Sequence, residues 1–153
     1  MMSDGPVDIV LVEDSEHDRE LALHVLRNVV SRDRIKMLHD GVAALQYLLP
    51  EDDPEGQRAS DPPRVVLLDL KMPRVDGIEV LRRLREDART RRVPVVIFTS
   101  SQQAGDVAAA YACGTNSYVV KPVDFDEYSA RLRIVVEYWL HHNVDSVPAG
   151  ATE

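Results

Sequence analysis

Five short runs of apolar, largely β-branched residues punctuate this chain: VDIVLV at 7–12, a weaker RIKML at 34–38, RVVLLD at 64–69, VPVVIF at 93–98 and NSYVV at 116–120. Each has the length of a strand, and their lack of strict alternation predicts burial on both faces. Between the runs, apolar residues recur three and four apart. Leu21, Ala22, Val25, Leu26 and Val29 form one stripe, followed by Val42, Leu45 and Leu49, then Ile78, Leu81 and Leu84, then Val107 and Tyr111. A longer stripe from Phe125 to Leu140 closes the series. Strand and helix therefore alternate throughout, which predicts an α/β fold: a parallel sheet doubly wound with helices on both faces.

Turn and cap residues support these boundaries. Ser15 with Asp18, and Asp124 with Glu127, have capping-box spacing at the starts of the first and last helices, and Gly114 stands where the Ala-rich helix must stop. PEDDPEGQRASDPP at 50–63 is acidic, Pro-rich and too long for a tight turn, so it is expected to be an exposed loop insertion. NVDSVPAGATE at 143–153 has no periodicity and is expected to be a mobile tail; residues 1–6 are expected to be a short extension before a domain at 7–142.

Composition narrows the function. With 153 residues and 44% hydrophobic content the chain supports one core. A net charge of -8 argues against non-specific nucleic acid or anionic membrane binding. The local exception, Arg82, Arg83, Arg85, Arg89, Arg91 and Arg92, is interrupted by Glu86 and Asp87, lacks interleaved aromatics and is expected to be a solvated face. Cys113 is the single cysteine, no zinc-ligand spacing is present, and the start does not resemble a signal peptide. A reducing cytoplasm is the expected location.

One apolar run ends on a charge. In VVLLDLKMPRVDG, residues 65–77, four apolar residues lead directly into Asp69. A buried strand ending in a carboxylate needs a compensating partner. In an open parallel α/β sheet, ligands gather beyond the carboxyl ends of the strands. The first predicted strand leaves Glu13 and Asp14 there, the third Asp69, the fourth Thr99 and Ser100, and the fifth Lys121 and Pro122. Clustered carboxylates repel, and an all-oxygen set suits Mg2+ or Mn2+. Beside such a cation Asp69 can act as a nucleophile toward phosphorus, with Lys121 and the Thr99 hydroxyl on other phosphoryl oxygens.

These residues sit in motifs, VLVEDS, LLDLKMPRVDG, VIFTSS and YVVKP, and across nearly all of 7–142 the chain resembles response-regulator receiver domains of two-component signalling. The resemblance implies a flavodoxin-like sheet of order 2-1-3-4-5. It implies that Asp69 accepts phosphate from a histidine kinase, that Asp14 binds Mg2+ directly, Glu13 through water and Lys71 through its carbonyl. Thr99 and Tyr118 would be a switch pair, Lys121 the phosphate-sensing cation, and the Lys121-Pro122 bond cis. The acidic loop, GTNSYVVKPVDF and the YWL ending are similar to stand-alone regulators that partner phytochrome-type histidine kinases. Glu13 departs from a more frequent Asp. Lys71 stands at a variable place, and its ammonium is expected to lean toward the phosphoryl group.

Phosphate on Asp69 is expected to repack the face of the fourth helix, fifth strand and fifth helix. On the last helix, Phe125, Tyr128, Leu132, Val135, Val136, Trp139 and Leu140 are predicted to pack on the sheet, leaving Ile134 and Tyr138 opposite as a partner or homodimer contact. No second module is read after residue 142, so output is expected through a protein contact or phosphorelay. Competing readings are a small aspartyl-nucleophile phosphatase, which resembles a DxD motif after the first strand where this chain has Asp69 and Lys71 after the third, and a receiver-like module that binds without phosphorylation. A flavin or nucleotide domain lacks its Gly-rich loop.

Overall fold

A computed structural model describes residues 6–53 and 62–145. Strands β1 (Ile9–Val12), β2 (Ile35–Leu38), β3 (Val65–Leu68), β4 (Val95–Thr99) and β5 (Ser117–Val120) form one parallel sheet of order β2-β1-β3-β4-β5. Helices α1 (Glu16–Leu26), α2 (Gly41–Leu48), α3 (Gly77–Glu86), α4 (Ala104–Ala112) and α5 (Phe125–Glu137) connect and follow them, and the chain passes from α5 into one π-helical turn, Tyr138–His142. The expected sheet and its order are borne out. Each strand is shorter at its start than the apolar run that predicts it, because the first residues of each run lead into the ladder rather than join it.

Strand alternation divides the interior into two cores. Val10, Val12, Val66, Leu68, Val95 and Ile97 face α2, α3 and α4, while Ile9, Leu11, Val65, Leu67, Val96 and Phe98 face α1 and α5. The three central strands are buried on both faces; β5, at one edge, is half-buried throughout. Helix stripes are legible but rotated in places. In α2 the fully buried line is Ala44 and Leu48, with Leu45 and Leu49 packed at its margin. In α4 only Ala110 is fully buried and Tyr111 is 52% exposed, since the small alanine is the side chain that meets the sheet. Phe125, expected inward, is 43% exposed at the top of α5, where its ring rests near His24 and Tyr128; Tyr128, Leu132 and Val136 do the packing.

The helix starts are well specified. Ser15, Asp40, Asp76 and Asp124 each accept a hydrogen bond from the backbone N–H three residues on, a cap worth about 1 kcal/mol apiece. The side chain of Asp18 does not complete a box with Ser15; Glu13 accepts from the Ser15 N–H instead. Gly114 stops α4 with φ +98°, as expected. No cis peptide occurs among the described residues, so the Lys121-Pro122 link is trans, the lower-energy state even before proline.

Two arginines of the basic cluster are clamps rather than solvated charges. Half-buried Arg85 donates to the carbonyls of Val93 (2.8 Å) and Gly114 (2.9 Å) and to Asn116 (2.9 Å), tying α3 to the starts of β4 and β5. Arg89 donates to the carbonyls of Pro50 and Asp53, and Asp53 is buried, so the start of the 50–63 segment is pinned to the domain at these two residues while Glu51 and Asp52 between them are exposed. Residues 54–61, 1–5 and 146–153, on which the loop, extension and tail expectations chiefly rest, lie outside the described residues.

One glycine bears directly on the strand ends. A Cβ on Gly77 would overlap the carbonyl oxygen of Asp69, and the Gly77 N–H bonds the Leu70 carbonyl at 2.9 Å. Helix α3 can thus start against the backbone that carries Asp69. Gly77→Ala is expected to destabilise the fold by about 1–3 kcal/mol through this overlap, despite alanine's better helix propensity, as read by urea denaturation.

Candidate functional site

The sheet order reverses at β1, and the site lies beyond the carboxyl ends of β1 and β3, its two central neighbours. The ladder carries Asp69 into register with β1, its N–H donating to the Val12 carbonyl at 3.1 Å. Glu13 follows β1 directly and Asp14 comes next. Glu13 and Asp69 are buried, Asp14 is exposed, and one carboxylate oxygen from each lies within 4.8 Å of the others.

Lys121 is delivered from the other side. Its N–H donates to the Thr99 carbonyl at 2.7 Å, extending the β4–β5 pairing, and its buried ammonium lies 2.5 Å from Glu13 Oε1, 2.9 Å from Asp18 Oδ2 and 3.8 Å from Asp69 Oδ2. Burial alone would lower the lysine's pKa, but Asp69, Glu13 and Asp18 outweigh it and hold the ammonium charged well above its ordinary range. Glu13 moves the other way from most salt-bridged acids. Burial first, then the charge of Asp69, push its carboxyl up to about 7, against the opposing bonds from Lys121 and the Ser15 N–H. The Leu70 N–H donates to Asp69 Oδ1 at 2.8 Å, leaving Oδ2 as the oxygen toward Lys121.

Asp18 is the member that sequence reading assigned only to capping. It sits in the first turn of α1, the helix that follows directly on β1, and that closeness to a strand end is the signal that could have placed it on the site's side. Three carboxyl groups thus surround one ammonium, and Asp14 adds a fourth beside Glu13 and Asp69. Glu13, Asp14 and Asp69 offer an all-oxygen set with one ammonium beside it, which could hold a small, hard divalent cation.

The other expected residues divide into near and far. Thr99 is 1% exposed at the end of β4, its hydroxyl accepting from the Ser101 N–H at 3.4 Å. Tyr118, half-buried on β5, donates its hydroxyl to the Ser101 carbonyl at 2.9 Å, so both meet the β4–α4 loop. Lys71 departs from expectation. Its ammonium pairs with Asp106 in the first turn of α4, at 3.1 Å from Oδ2, because that carboxylate lies within reach of a flexible, 65% exposed side chain. Ile134 and Tyr138 are exposed and border a groove of about 440 Å³ between β5 and α5, with Ser117, Val135 and Trp139. They are not part of the acidic cluster.

A family model described as response regulator receiver domain matches residues 9–133. The chain belongs to this family. Among curated relatives of this receiver, the probable methanogenesis regulatory protein FilR2 of Methanothrix harundinacea is 38% identical over 147 residues, covering 96% of this chain and 92% of that protein. Response regulator Rcp1 of Synechocystis is 33% identical, covering 90% and 92%. Its Mn2+-bound crystal structure superposes with a TM-score of 0.78 at 31% identity, covering 93% of this chain and all of that one. The phosphorylated cyanobacterial phytochrome response regulator RcpA gives 0.80 at 29% identity, covering 94% and 100%. Among the receiver's described residues, no helix is long and apolar enough to cross a membrane.

The ion-pair geometry yields a test. Asp18→Ala removes one of the carboxylates bonded to Lys121 and is expected to cost about 1 kcal/mol in chelator-treated protein. Exposed Asp14→Ala stays within about 0.5 kcal/mol by the same denaturation measurement.

Proposed function

We propose that this receiver is a stand-alone response regulator that accepts a phosphoryl group from a histidine kinase on Asp69. The observation that carries the reading is the meeting of Glu13, Asp14 and Asp69 within 4.8 Å, with the Lys121 ammonium 3.8 Å from the free Asp69 oxygen. Asp14 and Asp69 would hold Mg2+, or Mn2+, directly, Glu13 through water and Lys71 through its carbonyl. Bound there, the cation neutralises phosphoryl oxygens and aligns the phosphorus.

Asp69 Oδ2 attacks phosphorus while the bond to the kinase imidazole nitrogen breaks, so an acyl phosphate forms and the imidazole leaves. Lys121 neutralises one phosphoryl oxygen, and the buried Thr99 hydroxyl is the donor for another once it gives up its contact with the Ser101 N–H. The group adds about one to one and a half negative charges. A phosphatase would need a general acid two residues past Asp69; Lys71 stands there, bound to Asp106. The likeness to Rcp1 and RcpA supports a phytochrome-type kinase as the phosphodonor.

Output would pass through the half-buried β5 edge with α4 and α5. Thr99 and Tyr118 share Ser101 as a partner, so a shift of one disturbs the other. Ile134 and Tyr138 on this face would form the contact with a second copy.

Incubation with acetyl phosphate and Mg2+ is expected to add the mass of one phosphoryl group, with none added in Asp69→Asn or in excess chelator. Mg2+ is expected to raise the thermal midpoint of the wild type more than that of Asp14→Asn. An unlabelled wild type would refute the reading. For the contact, labelled wild type is expected to sediment as a dimer and Ile134→Glu as a monomer; monomeric wild type in both states would count against it.

A further inference from the structure

Resting on the assignment of Asp69 as phosphoacceptor, we propose that Asp106 is a positioning residue: by holding the Lys71 ammonium, it keeps that cation off the phosphorylated Asp69 and sets how long the acyl phosphate survives. Lys71 is two residues from Asp69 on a mobile stem, and packing does not fix a side chain that is 65% exposed. What fixes it is Asp106, whose two oxygens lie 3.1 and 3.3 Å from the ammonium. Asp106 is itself held by the Ser101 hydroxyl, which donates to Oδ2 at 2.5 Å. These two bonds, Ser101 first, keep its carboxyl below the usual range and therefore charged.

The anchorage matters because α4 has little else. Its N-cap, Gln103, makes no side-chain capping bond, and Ala110 is its one fully buried side chain. The Lys71–Asp106–Ser101 chain thus ties the segment just after Asp69 to the start of α4. At Ser101 it joins the residue that accepts from Tyr118 and whose N–H donates to Thr99.

A phosphoryl group on Asp69 competes with Asp106 for the Lys71 charge. While Asp106 retains it, water can approach the phosphorus opposite the acyl oxygen. Water oxygen bonds to phosphorus, the bond to the Asp69 oxygen breaks, a water proton passes to solvent, and carboxylate and inorganic phosphate result. Freed from Asp106, the ammonium would sit on the phosphoryl oxygens, neutralise charge in the resting acyl phosphate and obstruct that approach.

Full-length protein is charged with acetyl phosphate and Mg2+, the donor is removed, and loss of the label is followed by intact mass. Asp106→Ala is expected to lengthen the lifetime about threefold, the scale of one exposed ion pair. Asp106→Asn, which keeps a partner for Ser101 while removing the charge, should match it with a thermal midpoint nearer the wild type than that of Asp106→Ala. In a Lys71→Ala background the Asp106 substitution should have no further effect. A lifetime that does not lengthen, a lengthening in Asp106→Ala but not Asp106→Asn, or one that persists without Lys71 would each overturn the proposal. Labelled wild type with any of those results leaves the phosphoacceptor assignment standing, whereas absence of label refutes that assignment itself.

Discussion

A single ammonium buried among carboxylates governs this molecule. Lys121 contacts Glu13 and Asp18 and lies 3.8 Å from Asp69, and none of these acids could be taken out of water at this density without it. Burial first, then the neighbouring Asp69 charge, raise the Glu13 carboxyl to about 7 while the lysine stays charged. Such a set of oxygens could hold a divalent cation, and under the proposed function that cation would in turn attract the oxygens of a phosphoryl group.

The scaffold has to hold these charges against their repulsion. Three strands buried on both faces and four side-chain caps fix the carboxyl ends of the strands, while the Arg85 clamp holds the starts of β4 and β5 at the opposite edge. The parallel arrangement contributes directly, because every strand delivers its carboxyl end to the same edge. Glu13, Asp69, Thr99 and Lys121 come from four separate segments, yet each is within a residue of a strand end, where ladder hydrogen bonds dictate backbone position.

That dependence on ladders explains what the sequence made legible. Strand ends are visible as apolar runs stopping on polar residues, so Glu13, Asp69, Thr99 and Lys121 could be brought together without coordinates. Asp18 is less legible because its spacing from Ser15 has a local explanation as a capping box. The direction of Lys71 was not legible, since a long exposed side chain goes to whichever charge tertiary structure supplies, here an aspartate from a different helix. The clamping roles of Arg85 and Arg89 are illegible for the same reason: most of their distant partners are backbone carbonyls, which carry no signature in a sequence. Phe125 shows the limit of periodicity, which places a residue on a face but does not say whether the sheet extends beneath it.

Packing falls off in one direction from the site, and this decides where an added charge can be felt. Strand β4 is buried at every residue, β5 at none, and α4 buries a single alanine fully. Segments with few buried contacts open at the lowest free energy cost. Under the proposed function, a phosphoryl group on Asp69 would meet close-packed side chains on both faces toward β1. On the other side it would meet Thr99, then Ser101 with its bonds to Tyr118 and Asp106, all of them polar contacts that can be exchanged one for another. Rearrangement would therefore follow the line of hydrogen bonds into the β4–α4 loop and the start of α4 rather than the apolar ladders, because that is where the packing resists change least.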